Sequence, residues 1–153
     1  MKIKESKIHM ADVSTKAFTL RRARARCEVW LKPATLAAIR SGRLPKGDVW
    51  AAAQVAGILA AKRTSELIPL CHPIPVSHVE LRHTVKGRIF IIESEVTTTA
   101  PTGPEMEALT AAAIAALTVY DMCKSIEQGI EIRGLCLVEK SGGKSGVWRR
   151  STK

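Results

Sequence analysis

The chain has 153 residues and a mass of 16.6 kDa, room for one domain burying about 68% of the surface its unfolded form exposes, with no second domain needed. Apolar residues at 46% and charged ones at 25% exclude a disordered tail and a fibre. The formal charge of +10 is concentrated at the two ends, with 12 basic against 3 acidic groups in residues 1–46 and 5 against none in residues 140–153, which suits a polyanionic partner.

Residues 1–16 are polar and mixed and read as an arm that is mobile until it meets a contact. In Arg24–Leu31 (RARCEVWL), Cys27, Val29 and Leu31 alternate with Glu28 and Trp30, predicting a first strand. Pro33 opens a short helix that Gly42 stops, and the basic loop RLPKGD leads to Asp48, a cap for the next helix over 48–66. That helix is rich in alanine, and Gly57 near its middle predicts close packing against another element. Pro69, Pro73 and Pro75 forbid helix through LIPLCHPIP, so this segment is an extended, stiffened loop. Two strands follow, 76–85 and 88–99, joined by Lys86 and Gly87 as a hairpin. Pro101, Gly103 and Pro104 end the second strand. Residues 105–128 form a long helix with the stripe Leu109, Ala113, Ala116, Tyr120 and Cys123, Gly129 stops it, and 130–138 is the last strand. Antiparallel strands backed by helices on one face make the fold class α+β, a ferredoxin-like antiparallel sheet. Residues 1–153 form a single domain, with 147–153 as a flexible tail.

Aromatic residues amount to 4%, too few for the stacking platforms of a single-strand binder, and small phosphorylated ligands gain ground over nucleic acid. The four cysteines lie far apart without a CxxC pair and read as free thiols. No run of 18 uninterrupted apolar residues and no secretory h-region are present, so no membrane partner is expected and the expected compartment is the cytosol.

Three constellations carry chemistry. KSGGKSG at 140–146 lacks the Walker spacing but sets Lys140 and Lys144 among glycines whose backbone N–H groups suit an anion; a flexible basic tail is the competing reading. Cys71 and His72 are neighbours and point apart on an extended chain, which disfavours Cys-His nucleophilic catalysis, whereas His72 suits a ligand contact, a proton carrier or a structural role. Asp121 and Lys124 share a helix face, as an ordinary surface ion pair or as a buried, tuned acid/base couple among apolar neighbours. Glu107 lies fourteen residues from Asp121, about 21 Å along a helix, so one pocket using both would have to form between subunits.

The phrases KGDVWAAAQVAGILAAKRTSELIPLCHPIP, TGPEMEALTAAAIAALTVYDMCKSIEQ and LVEKSGGKSG, in this order and spacing, resemble the molybdenum cofactor biosynthesis protein C family, the cyclic pyranopterin monophosphate synthases. The likeness runs from about Met10 to Gly146. It implies a lyase converting 3′,8-cyclo-7,8-dihydroguanosine 5′-triphosphate to cyclic pyranopterin monophosphate and pyrophosphate, with a ferredoxin-like subunit, a hexamer built as a trimer of dimers, and pockets at the dimer interface. By the same resemblance Asp121 and Lys124 look like the acid/base pair and Lys46 like a further essential lysine. Lys62, Arg63, Cys71 and His72 look like pocket residues, and Glu105, Met106 and Glu107 like the purine-facing edge. Lys140 and Lys144, with Arg24 or Arg26, would face phosphates. No resident cofactor is implied, and whether Mg²⁺ accompanies the triphosphate is left open. Pro104 stands where the family commonly has valine, a change the first helical turn tolerates. A nucleic-acid-binding module and a metal enzyme built on Cys71 and His72 are the competing classes, and salt dependence and metal content discriminate them.

Overall fold

The computed structural model describes residues 7–151. Its elements are β1 (Thr19–Trp30), α1 (Pro33–Arg40), α2 (Val49–Lys62), α3 (Thr64–Leu67), β2 (His78–Lys86), β3 (Ile89–Ala100), α4 (Glu105–Cys123), β4 (Glu131–Ser141) and β5 (Trp148–Arg149). The strands form one sheet in the order β2-β3-β1-β4-β5, and every pairing is antiparallel. The first four strands, with helices after β1 and β3, have the ferredoxin-like arrangement that the element order implied.

Alternation along β1 explains how the sheet divides. Ala23, Ala25, Cys27, Val29 and Leu31 are buried toward the helices, while Arg22, Arg24, Arg26 and Glu28 occupy the opposite face. There the charges pair across strands: Arg24 reaches Glu93 at 3.8 Å and Glu95 at 3.7 Å.

The helices are close-packed because their facing side chains are small. A Cβ at Gly57 of α2 would lie 3.0 Å from the Ala111 carbonyl oxygen of α4 and 2.5 Å from Leu81 Cδ2, so only glycine fits where the two backbones and β2 meet. The buried stripe of α4 runs through Ala108, Ala111, Ala112, Ala115, Ala116, Val119, Met122 and Cys123. The stripe expected from sequence is rotated relative to it, with Leu109, Ala113 and Tyr120 only half-buried, because a run of alanines offers little contrast between faces. By length and composition α4 is apolar enough to cross a membrane, with a mean hydropathy of 1.3, but half of that stretch is buried inside this protein as the central core helix.

Several boundaries shift. β1 begins five residues earlier than expected, at Thr19, and helix 48–66 breaks at Arg63 into α2 and α3. α4 ends at Cys123 rather than at residue 128; turns follow, in which Cys123 O accepts from the amides of Ile126 and Glu127. β4 extends to Ser141, so Lys140 belongs to a strand rather than to the glycine loop. In the expected flexible tail, Trp148 and Arg149 pair with Lys140 and Glu139 as β5. In the expected mobile arm, Asp12 accepts from the Ser14 amide at 2.9 Å and Ala11 O lies 2.7 Å from His72 Nε2. Residues 1–6 of that arm and 152–153 of the tail lie outside the described residues.

Candidate active site

α4 is the axis on which the candidate residues are arranged, and they gather at its two ends. At its C-terminal end the loop between α1 and α2 brings Lys46 across. Lys46 Nζ lies 2.6 Å from Asp121 Oδ2 and Lys124 Nζ lies 2.9 Å from Asp121 Oδ1. The helix supports this grouping, since its C-terminal carbonyls favour cations. Asp121 is not the buried carboxylate that its apolar neighbours suggested: its side chain is 52% exposed, because Val119, Met122 and Cys123 turn to the core while position 121 faces outward. Its acidity is set by charge instead. The Lys46 hydrogen bond, then that of Lys124, lowers the Asp121 pKa to about 2, and Asp121 in turn raises that of Lys124.

The N-terminal end of α4 holds the buried carboxylate. Glu107 is 2% exposed, its Oε1 receives the Cys71 thiol at 3.7 Å, and its Oε2 has no partner among the described residues. Burial pushes its pKa above the ordinary value of 4.5, chiefly against the weaker lowering by hydrogen bonds. Burial, reinforced by Glu107, also pushes the Cys71 thiol up to about 11, so at neutral pH it is a hydrogen-bond donor rather than a thiolate nucleophile. Beside them His72 donates from Nε2 to the Ala11 carbonyl. Met106 is exposed on the first turn, and Glu105 is bound by Lys140 at 3.1 Å. Lys62 ends α2 and Arg63 caps it, both exposed; α2 runs antiparallel to α4, so they belong to this end as well.

Next to this end lies a cavity of about 590 Å³ whose walls include Thr15, Lys16, Thr19, Arg21, Gly143 and Lys144. It has three cationic side chains and no carboxylate in its lining. Thr19 Oγ1 is buried without a partner among the described residues. Gly142 and Gly143 have φ of +97° and +70°, and a Cβ on Gly142 would collide with the Leu20 carbonyl, which is how the loop comes to lie against Leu20 and Arg21. Arg21 is pinned by donating to the carbonyls of Ala100 at 3.1 Å and Pro101 at 3.2 Å. The cavity therefore combines fixed charge with a glycine-lined wall, the means by which a protein holds a phosphorylated ligand.

The structure thus joins Lys46 to Asp121 and Lys124, Cys71 to Glu107, and Lys140 to Glu105, and it sets Lys144 in a basic cavity. Arg24 and Arg26 stand on the open face of the sheet, engaged with Glu93, Glu95 and Glu28. Sequence reasoning missed Lys16 and Arg21. Strand parity was the available signal: Arg21 shares the parity of Ala23 and Cys27, on the helical side, whereas Arg24 and Arg26 do not. No three or more His, Cys, Asp or Glu residues group as a metal site among the described residues.

Comparison with known proteins gives the family. The pattern that defines the MoaC family matches residues 10–143, which include Lys46, Cys71, His72, Glu107, Asp121 and Lys124. The chain belongs to the MoaC family. Its relatives in that family include the cyclic pyranopterin monophosphate synthase of Thermomicrobium roseum, 55% identical over 143 residues that cover 92% of this chain and 86% of the relative. The protein of the same name from Chloroflexus aggregans is 54% identical, covering 92% and 87%. That from Listeria innocua is 52% identical over 146 residues, covering 95% and 91%. The MoaC family match therefore spans both ends of α4 and reaches the start of the glycine loop at Gly143.

Proposed function

We propose that this chain is a cyclic pyranopterin monophosphate synthase of molybdenum cofactor biosynthesis, a lyase converting 3′,8-cyclo-7,8-dihydroguanosine 5′-triphosphate to cyclic pyranopterin monophosphate with release of pyrophosphate. The observation that carries the reading is identity of 52–55% to synthases of that name over nearly the whole chain. The geometry supports it. A cavity with Lys16, Arg21 and Lys144 suits a triphosphate and the pyrophosphate that leaves. Glu107, with a buried oxygen lacking a partner, suits the donor edge of a guanine-derived ring.

In this reading Asp121 holds two ammonium groups in place rather than acting first as a base. A carboxyl with a pKa of about 2 is a weak base, whereas Lys46 and Lys124 carry protons to donate as the ring rearranges. No resident cofactor is required, and Mg²⁺ enters with the triphosphate as part of the substrate. Glu107 and Asp121 lie at opposite ends of one rigid helix, about 21 Å apart. A single site that uses both ends is completed by the corresponding end of a second subunit, in a hexamer assembled as a trimer of dimers. Exposed Val55 and Leu59 on α2 and Leu117 on α4 supply apolar surface for such assembly. The compartment is the cytoplasm, and neither nucleic acid nor a membrane is a partner.

The test is incubation with the enzymatically prepared cyclic intermediate, following pterin product and pyrophosphate. Turnover is expected in the wild type and abolished in Asp121→Ala and Lys124→Ala that retain the native oligomer. Mixing Asp121→Ala with Glu107→Ala should restore part of the activity. Absence of pyrophosphate from the wild type refutes the reaction; absence of recovery after verified subunit exchange refutes the shared site.

A further inference from the structure

Glu127 is a carboxylate that the reaction above does not use. It is 5% exposed, lies in the turns after α4, and its Oε2 accepts the backbone N–H of Lys32 at 2.9 Å, ninety-five residues away in sequence. Lys32 is the N-cap of α1. That helix lacks what its own sequence should provide, since the Lys32 side chain makes no capping bond and the first turn contains no acidic residue. Glu127 provides the missing acceptor from another part of the chain, at the end of α1 whose first N–H groups have no partner within the helix.

The consequence is positional. On one side of the bond, Glu127 is tied by its own amide to Cys123 O at 3.1 Å, in the turn that begins with Lys124. On the other side, α1 continues into the loop that bears Lys46. That loop is fastened to the helix by Arg43 N–H on Ala38 O at 3.0 Å and is held inward by the buried Leu44. The two segments that present an ammonium group to Asp121 are thus fastened to each other by one buried carboxylate. We infer that Glu127 is a positioning residue that holds Lys46 and Lys124 in register on Asp121, by capping α1 in trans. The inference about turnover rests on the synthase reading, whereas the geometric claim stands without it.

Three full-length variants test it: Glu127→Ala, Glu127→Gln, which keeps an acceptor oxygen, and Lys32→Pro. The last removes the same N–H from the other side, at a φ of −71° that proline adopts without strain. The first readout is the Asp121 carboxyl titration followed by NMR in ligand-free protein. Wild type and Glu127→Gln should titrate near 2, and Glu127→Ala and Lys32→Pro should climb toward the ordinary 3.8. The second is kinetic. Glu127→Ala should lose at least about tenfold in kcat with KM within about twofold, and Glu127→Gln should recover most of it. An Asp121 titration that stays near 2 in folded Lys32→Pro and Glu127→Ala overturns the inference, as does a kcat loss that Gln fails to rescue. A shifted titration in a protein that releases no pyrophosphate sinks the synthase reading and leaves the role of Glu127 intact.

Discussion

Gly57→Ala places a methyl group where α2, α4 and β2 converge. The added Cβ would stand 2.5 Å from Leu81 Cδ2, which can rotate away, and 3.0 Å from the Ala111 carbonyl oxygen, which cannot move without displacing α4. Overpacking of this kind costs about 1–3 kcal/mol. Against it stands the gain of about 1 kcal/mol in helix propensity when alanine replaces glycine in a helix interior. The balance is a net loss of about 1 kcal/mol. For a chain of this length that is a fall of about 2–4 °C in melting temperature. Gly57→Val, with two further methyls and a poorer helix former, should lose several times as much. The assay is thermal unfolding followed by circular dichroism, at one protein concentration so that any association is held constant. If Gly57→Ala instead melts higher, gaining the full propensity term, the helices are not in backbone contact and the close-packing account of α2 and α4 is wrong.

Glu107→Gln should raise the melting temperature more at pH 7 than at pH 4. Burial lifts the Glu107 pKa above 4.5, so the contribution of the carboxyl is fully present below that value and is lost as the pH rises through the folded-state pKa; equal shifts at the two pH values, read by calorimetry, would contradict this. Lys16→Ala and Arg21→Ala should each weaken pyrophosphate binding by about tenfold in isothermal titration, the worth of a charged hydrogen bond, and Arg24→Ala should lose less; the reverse order would place the anion on the other face of the sheet. His72→Phe removes the bond to Ala11 O and should speed amide hydrogen exchange in residues 7–14 by about fivefold, the equivalent of about 1 kcal/mol.

Periodicity and turn chemistry made most of the fold legible. Period-2 alternation in β1 and β3, the hairpin at Lys86 and Gly87, and Gly57 in an alanine helix each carry a local physical signature. The rotation of α4 escaped, because alanine on both faces gives hydrophobic patterning nothing to distinguish. β5 escaped because a two-residue strand is made by its partner and not by its own propensity. At the candidate site, Asp121 with Lys124 was visible as a helical i,i+3 pair. The Lys46 contact spans seventy-five residues and has no local signature; only the family resemblance pointed to that lysine. Arg24 and Arg26, taken from the family resemblance, lie on the open face of the sheet, while Arg21, of the opposite parity, lines the basic cavity. Glu127 drew no notice, because its partner, the Lys32 amide, lies ninety-five residues away and has no local signature.

The two rims of the sheet differ in how they would receive a further strand. β2 forms one rim, with no neighbouring strand on its outer side among the described residues, and along it His78, Arg82, Thr84 and Lys86 are exposed. At the other rim β5 pairs only with Glu139 and Lys140, so the outer edge of β4 before Glu139 has no neighbouring strand among the described residues. A further strand docking on β2 would press against the cations Arg82 and Lys86, whereas the outer edge of β4 before Glu139 offers a ladder to extend. Strand addition is thereby discouraged at one margin and left open at the other.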